Sequence, residues 1–298
     1  MKKIFLKSAW RTGIALLAAC ALFTAAQAQD DFTQGLLWRV EKPGVAPNYI
    51  FGTIHIDDKR VTALPEAVRR SFDDARSFTM EVSLDDANLM TLATRMVYDD
   101  GRTLTDATGP ELFRKLVPIM QQHGVPEQLL PAFRPWAITL MLEVPQQDSM
   151  EVLDFRLYQM AQEQNKPVHE LETAEEQIAV FEGMSEADQL TMLKDAVAHY
   201  PDIAQQTEQL VQAYLARDLA QMWRINQGSA DDSAEVRAAN QRLEQKLLDE
   251  RNVRMAQRMQ PQLQEGGAFV AIGALHLYGD HGVLALLAHD GWRATRVY

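Results

Sequence analysis

The hydrophobic pattern changes period twice along the chain. Short apolar runs at residues 36–40 and 48–51 flank the turn-rich Lys42-Pro-Gly-Val-Ala-Pro-Asn48, which predicts a two-stranded hairpin. From residue 85 to about 260 apolar residues recur every three or four positions. This predicts packed amphipathic helices over 86–98, 110–122, 135–143, 151–164, 175–181, 186–199 and 202–216, then a long one over 234–260. A strand over 166–171 interrupts them, and Thr173-Ala-Glu-Glu176 then supplies a capping box for the next helix, which gives His169 and Glu172 structural roles. The last helix carries Leu243, Leu247, Leu248, Met255 and Met259 on one stripe, and Arg251 and Asn252 fall within it.

Strand-like sequence returns near the C-terminus as an echo of the beginning. Tyr49-Ile-Phe-Gly-Thr-Ile-His-Ile-Asp-Asp58 and Phe269-Val-Ala-Ile-Gly-Ala-Leu-His-Leu-Tyr-Gly-Asp280 are both apolar runs ending in Gly-x-x-His. Each is followed by a helix-like segment, 64–75 and 282–289, and then by another strand-like run. The expected fold is therefore mixed α/β (α+β). Its central sheet is built from two repeated strand–GxxH–helix–strand units, with a large helical insertion (about 85–260) between them. His55 and His276 then leave their strands where open α/β sheets place ligands. Glu81 ends the strand after the first unit, and a right-handed crossover sets it beside the His55 strand.

The N-terminus reads as an export signal. Met1 to Arg11 is basic, residues 12–25 are apolar but too short to span a bilayer, and Ala26-Gln-Ala28 fits a cleavage site, leaving Gln29 first in a single domain over 29–298. Leu17-Ala-Ala-Cys20 resembles a lipobox, but the apolar run continues past it. Ordinary cleavage to a periplasmic or secreted protein is the favoured reading, with no membrane span. Cys20 is the only cysteine, so any metal must be held by histidine and carboxylate. The chain carries 29 Lys and Arg against 41 Asp and Glu, and four of the basic residues (Lys2, Lys3, Lys7, Arg11) fall in the presequence, which argues against nucleic acid as a partner. No P-loop, Gly-x-Gly-x-x-Gly, His-Glu-x-x-His or Gly-x-Ser-x-Gly is present, so nucleotide, hydride-transfer, zincin and serine-hydrolase chemistries are disfavoured.

A single Gly-x-x-His more often marks a hydrogen-bonded structural histidine than a ligand. Two of them in parallel contexts, with Glu81, form a set able to hold a divalent ion with open positions for water or substrate. The same three residues also suit metal-free chemistry, with a histidine as base and Glu81 orienting it. Arg251 points inward on its helix and must be paired or face a pocket. His123, His199 and His289 lie near helix ends and read as structural. His281 is a solvated loop residue or a fourth ligand, and Asp57, Asp58 and Asp280 flank the expected site.

These residues are also where the sequence resembles the TraB/GumN family, which includes the Tiki-type metal-dependent proteases and is related to the erythromycin esterases. Gly52-Thr-Ile-His55, Glu81 and Gly273-Ala-Leu-His276 carry the resemblance. Arg134-Pro-Trp136, Leu171-Glu-Thr173, Gln177 and Glu250-Arg-Asn252 extend it over nearly the whole mature chain. Members often carry Gly-[Ile/Val]-Asp before a middle helix, and this chain has Val152-Leu-Asp154 instead. The resemblance implies a hydrolase of amide (peptide) or ester bonds at His55, Glu81 and His276; the chemistry of these three suits them as metal ligands for Mn, Zn or Co, and the inward position of Arg251 makes it the further catalytic candidate. Two alternatives stay open: a non-catalytic periplasmic protein that binds a peptide or pheromone, and a metal-free His/Glu esterase. Substrate and oligomeric state are not specified.

Overall fold

The computed structural model describes residues 32–83, 85–143, 152–228 and 232–298. The expected presequence with Cys20 and Gln29, and Glu151 at the expected start of a helix, lie outside the described residues. Six strands form one sheet: β1 (Leu37–Glu41), β2 (Asn48–Thr53), β3 (Ser77–Met80), β4 (Val168–Glu170), β5 (Ala268–Gly273) and β6 (Arg293–Arg296). Their order across the sheet is β4-β3-β5-β2-β1-β6. The four from β4 to β2 run parallel, whereas β1 is antiparallel to both β2 and β6. The hairpin forms as expected, with Leu37 opposite Phe51 and Val40 opposite Asn48.

The strand order corrects one expectation. The strand leading to Glu81 does not lie beside the His55 strand, because β5 is inserted between β2 and β3. The reason is burial. Ala268, Phe269, Val270, Ala271 and Ile272 are all buried, and such a continuous apolar run is stable only with strands on both edges and cover on both faces. Part of that cover is Phe72, from the helix Glu66–Asp74, which packs edge-on against both Phe78 and Phe269. The register then does the positioning. Thr53 pairs with Gly273, and Thr79 with Val270, so β2, β5 and β3 all end at the same edge of the sheet. His55, His276 and Glu81 leave from that edge.

Helices fill the insertion broadly as the periodicity predicts, with local departures. The helix expected over 110–122 extends back to Leu104 through a kink at Gly109. Leu219–Asn226, capped by Asp218, is a helix that the periodicity did not predict. The long C-terminal helix contains a π-helical turn, Gln245–Asp249, between Ala234–Glu244 and Glu250–Arg258. That turn shifts the stripe out of phase: Met255 and Met259 are buried, but Leu243, Leu247 and Leu248 are only half-buried. The insertion also has an apolar cluster of its own, which includes Leu104, Leu116, Met120, Leu130, Ile138, Leu142 and Leu193.

The glycines of the two motifs have different physical roles. A Cβ on Gly52 would lie 2.9 Å from Leu277 Cδ1 and 3.0 Å from Ala274 Cα, so Gly52 is what lets the turn carrying His276 sit against β2. At Gly273 an added Cβ would reach Glu81 Oε1 and His276 Cδ2 at 3.4 Å, so this glycine keeps space open between those two side chains. Gly52→Ala should therefore destabilise the fold by about 1–3 kcal/mol, the usual cost of overpacking. Urea unfolding measures this, and an unchanged midpoint would contradict the close approach.

Candidate active site

His276 lies in a short 3₁₀ turn, Ala274–Leu277, directly after β5, and is buried. Its Nδ1 is 2.7 Å from Asn252 Oδ1, and Asn252 Nδ2 in turn donates to the His281 carbonyl at 2.9 Å. The opposite ring atom, Nε2, faces Glu81 Oε1 at 3.7 Å. Burial pushes the imidazole down to about 4, against the opposing pull of the Glu81 charge, so at neutral pH the ring is uncharged.

Glu81 is held from three sides. Its Oε1 accepts from the Gly273 N–H at 2.7 Å, while Oε2 accepts from Arg251 Nη2 at 2.6 Å and from Gln177 Nε2 at 3.2 Å. Burial by itself raises this carboxyl, but the charges of His276 and Arg251, then His55 and the Gly273 N–H, outweigh it and bring it down to about 2. Because His276 is neutral at pH 7, the lasting part of that stabilisation comes from Arg251, His55 and the N–H.

Arg251 is shared with a second carboxylate. Its Nε donates to Glu172 Oε2 at 2.8 Å, and Arg254 Nη1 donates to Glu172 Oε1 at 2.9 Å. The Glu172 side chain is fully buried, so its charge is stable only because two guanidinium groups meet it. The inward position read for Arg251 is thus paired. The capping role read from Thr173 also holds, since the Thr173 and Glu176 side chains form the expected box. The structural role given to Glu172, however, missed its part in this network.

His55 differs from His276. Its side chain is 65% exposed, and its Nδ1 lies 2.8 Å from Asp154 Oδ2, while Asp154 Oδ1 accepts from the Thr53 hydroxyl at 2.7 Å. The Asp154 charge and its hydrogen bond raise the His55 ring from 6.5 to about 9. Asp154 is in the first turn of the helix Leu153–Glu163, where the helix dipole favours an anion. The departure at Val152-Leu-Asp154 therefore leaves the aspartate in contact with the first motif.

The match to known proteins is broad and runs through these residues. A model of the TraB/PrgY/gumN family matches residues 36–296. The chain belongs to that family. The uncharacterized protein YbaP of Escherichia coli (strain K12) is 25% identical over 253 residues, covering 82% of this chain and 89% of YbaP. Metalloprotease TIKI2 of Danio rerio is 25% identical over 343 residues, covering 93% of this chain and 66% of TIKI2. Metalloprotease TIKI1 of Homo sapiens is 23% identical over 336 residues, covering 96% of this chain and 65% of TIKI1. The chain thus spans just under two thirds of the length of these metalloproteases. No solved structure matches it.

Within this TraB/PrgY/gumN chain the remaining histidines fall outside the cluster. His281 turns an exposed ring toward Asp249, at 3.6 Å, and only its carbonyl reaches the network. His123 bonds the Tyr200 hydroxyl at 2.9 Å, and His289 ends its helix. Asp58 caps the short helix Lys59–Thr62 and pairs with Arg60. Among the described residues, three ligand atoms all within 4.8 Å of one another occur only at Asp195, His199 and Asp232. Asp195 and His199 there are an i, i+4 pair at the end of a helix, which accounts for that contact without an ion. Glu81 and His276 are close enough to share an ion, but ligand atoms of His55, Glu81 and His276 do not all lie within 4.8 Å of one another. No helix among the described residues is long and apolar enough to cross a membrane.

The His55–Asp154 pair has a testable consequence for pH. With a folded value of about 9 against an ordinary 6.5, its stabilisation is fully present below pH 6.5 and is lost as pH rises through 9. An NMR titration of the metal-free protein should give His55 a midpoint well above 6.5. Asp154→Asn should bring that midpoint back down and remove the loss of stability between pH 6.5 and 9. A native midpoint at or below 6.5 would contradict the pairing.

Proposed function

We propose that this protein is an exported, metal-dependent hydrolase of amide (peptide) or ester bonds, with His55, Glu81 and His276 as metal ligands and Arg251 as their charge partner. The observation that carries this reading is the pair of groups facing each other across 3.7 Å. His276 Nε2 has no proton when Nδ1 donates to Asn252, and Glu81 Oε1 is an ionised oxygen, so two lone pairs meet in a buried gap. A cation relieves that repulsion, and one nitrogen with one carboxylate oxygen suits Mn, Zn or Co. His55, with Nδ1 held by Asp154, would be the third donor, its ring giving up the Nε2 proton when the ion binds. When bound, such an ion polarises a substrate carbonyl and makes bound water more acidic.

The chain's own residues supply the rest. Arg251 holds Glu81 Oε2 and leaves Oε1 toward the gap. In the metal-free alternative a histidine serves instead as the base, with Glu81 orienting it. The similarity to TIKI metalloproteases favours peptides as substrates. Export rests on the basic, apolar and small-residue segments of residues 1–28, with Gln29 as the mature start.

Metal analysis and peptide hydrolysis on protein from a periplasmic fraction test the reading together. The native protein is expected to begin at Gln29, to hold about one divalent ion per chain and to cleave peptide or ester substrates. His276→Ala and Glu81→Gln should lose both the ion and activity, and His55→Ala should lose at least tenfold in activity, the scale of a single acid–base or ligand group. Full hydrolysis by metal-stripped protein would favour the metal-free esterase. An intact metal site without hydrolysis would favour the binding protein, and a diacylglyceryl group on Cys20 would replace simple export with anchoring.

A further inference from the structure

The neutral, Nδ1-protonated form of His276 is not a default of the imidazole. Either ring nitrogen can carry the proton, and in this pocket Nε2–H has an obvious acceptor in Glu81 Oε1, 3.7 Å away. That alternative would pair the two groups directly and remove the free lone pair. Something must hold the proton on the far side of the ring.

Asn252 does so, and its own orientation is fixed in turn. The residue is buried, at 2% exposure. Its Nδ2 donates to the His281 carbonyl at 2.9 Å, which only an amide NH₂ can do. A flipped amide would set oxygen against oxygen there, so Oδ1 must face His276 Nδ1, where it accepts at 2.7 Å. The carbonyl that sets this direction is offered by a tight turn: the Gly282 N–H donates to Gly279 O at 3.2 Å, and a Cβ on Gly282 would lie 2.7 Å from Tyr278 O. Arg251 and Asn252 are consecutive on one helix and about 100° apart around it. One therefore addresses Glu81 and the other His276.

We infer that Asn252 is a positioning residue that sets the tautomer of His276, its amide latched by the His281 carbonyl, so that Nε2 is kept as a lone-pair donor toward Glu81. The inference rests on reading His276 as a ligand, but the tautomer can be observed without any ion.

The experiment is ¹H–¹⁵N correlation of the His276 ring in metal-free native protein and in Asn252→Ala and Asn252→Asp, with Zn²⁺ affinity measured on each by chelator competition. Native protein should show the proton on Nδ1. In Asn252→Ala it should move to Nε2 or divide between the two nitrogens, and the Zn²⁺ dissociation constant should rise about 10- to 100-fold, as for loss of an outer partner of a metal-bound histidine. Asn252→Asp keeps an acceptor for Nδ1–H and should retain the proton on Nδ1, and at a pH high enough to leave the ring singly protonated beside the added carboxylate it should keep most of the affinity, even where its second oxygen, facing the His281 carbonyl, lowers stability. An Nε2–H tautomer in native protein, or an unchanged Nδ1–H tautomer in Asn252→Ala, would overturn the assignment. Should Asn252→Ala fail to fold, the native spectrum and Asn252→Asp still decide: loss of Nδ1–H in the aspartate variant counts against it. His276→Ala separates the two claims. If that variant binds Zn²⁺ like the native protein, His276 is not a ligand and the functional reading fails, while the ring spectra still judge Asn252.

Discussion

Glu81 is the group on which the rest of the arrangement depends. A carboxylate this buried is stable only if its charge is met, and it is met from two directions at once: Gly273 N–H at 2.7 Å and Arg251 at 2.6 Å. The first bond ties the end of β3 to the turn that carries His276. The second ties it to the helix Glu250–Arg258, and through the shared Glu172 to the segment after β4. Satisfying one charge thus fixes three separate parts of the chain around the gap where His276 Nε2 points.

The division of labour follows the topology. His55, Glu81 and His276 come from the strand ends of the sheet, whereas Asp154, Glu172, Gln177, Arg251 and Asn252, which orient or neutralise them, all come from the helical insertion. The insertion is therefore the outer layer of the site as well as an addition to the core. The two histidines are treated differently within it. An anionic partner, Asp154, keeps the exposed His55 easily protonated, whereas burial keeps His276, whose Nδ1 partner Asn252 is neutral, uncharged.

Much of this was legible in the sequence, and what was not has a physical reason. The hairpin, the two Gly-x-x-His strands and most of the insertion's helices follow from hydrophobic period alone. Arg251 and Asn252 stood out as polar residues inside an apolar stripe, and both are buried in the structure. The strand order was not legible, because a crossover rule orders two strands and cannot say that a third, about 190 residues later, will enter between them. Glu172 was hidden by an adjacent capping box that explained the local polarity. Asp154 was visible through family resemblance, but its contact with His55, 99 residues away in sequence, is a tertiary fact. The π-helical turn left no mark in the residue pattern that a regular helix would not also leave.

Glu81 and His276, with His55, are proposed to hold a divalent ion. Anomalous diffraction at the manganese edge, from crystals of the mature protein grown with Mn²⁺, tests it most directly. The account requires a peak between His276 Nε2 and Glu81 Oε1, at about 2.0–2.2 Å from the ligand atoms, as is usual for nitrogen and carboxylate donors. A peak only at Asp195, His199 and Asp232, with Glu81 still bonded to Arg251 and no density in the gap, would contradict it.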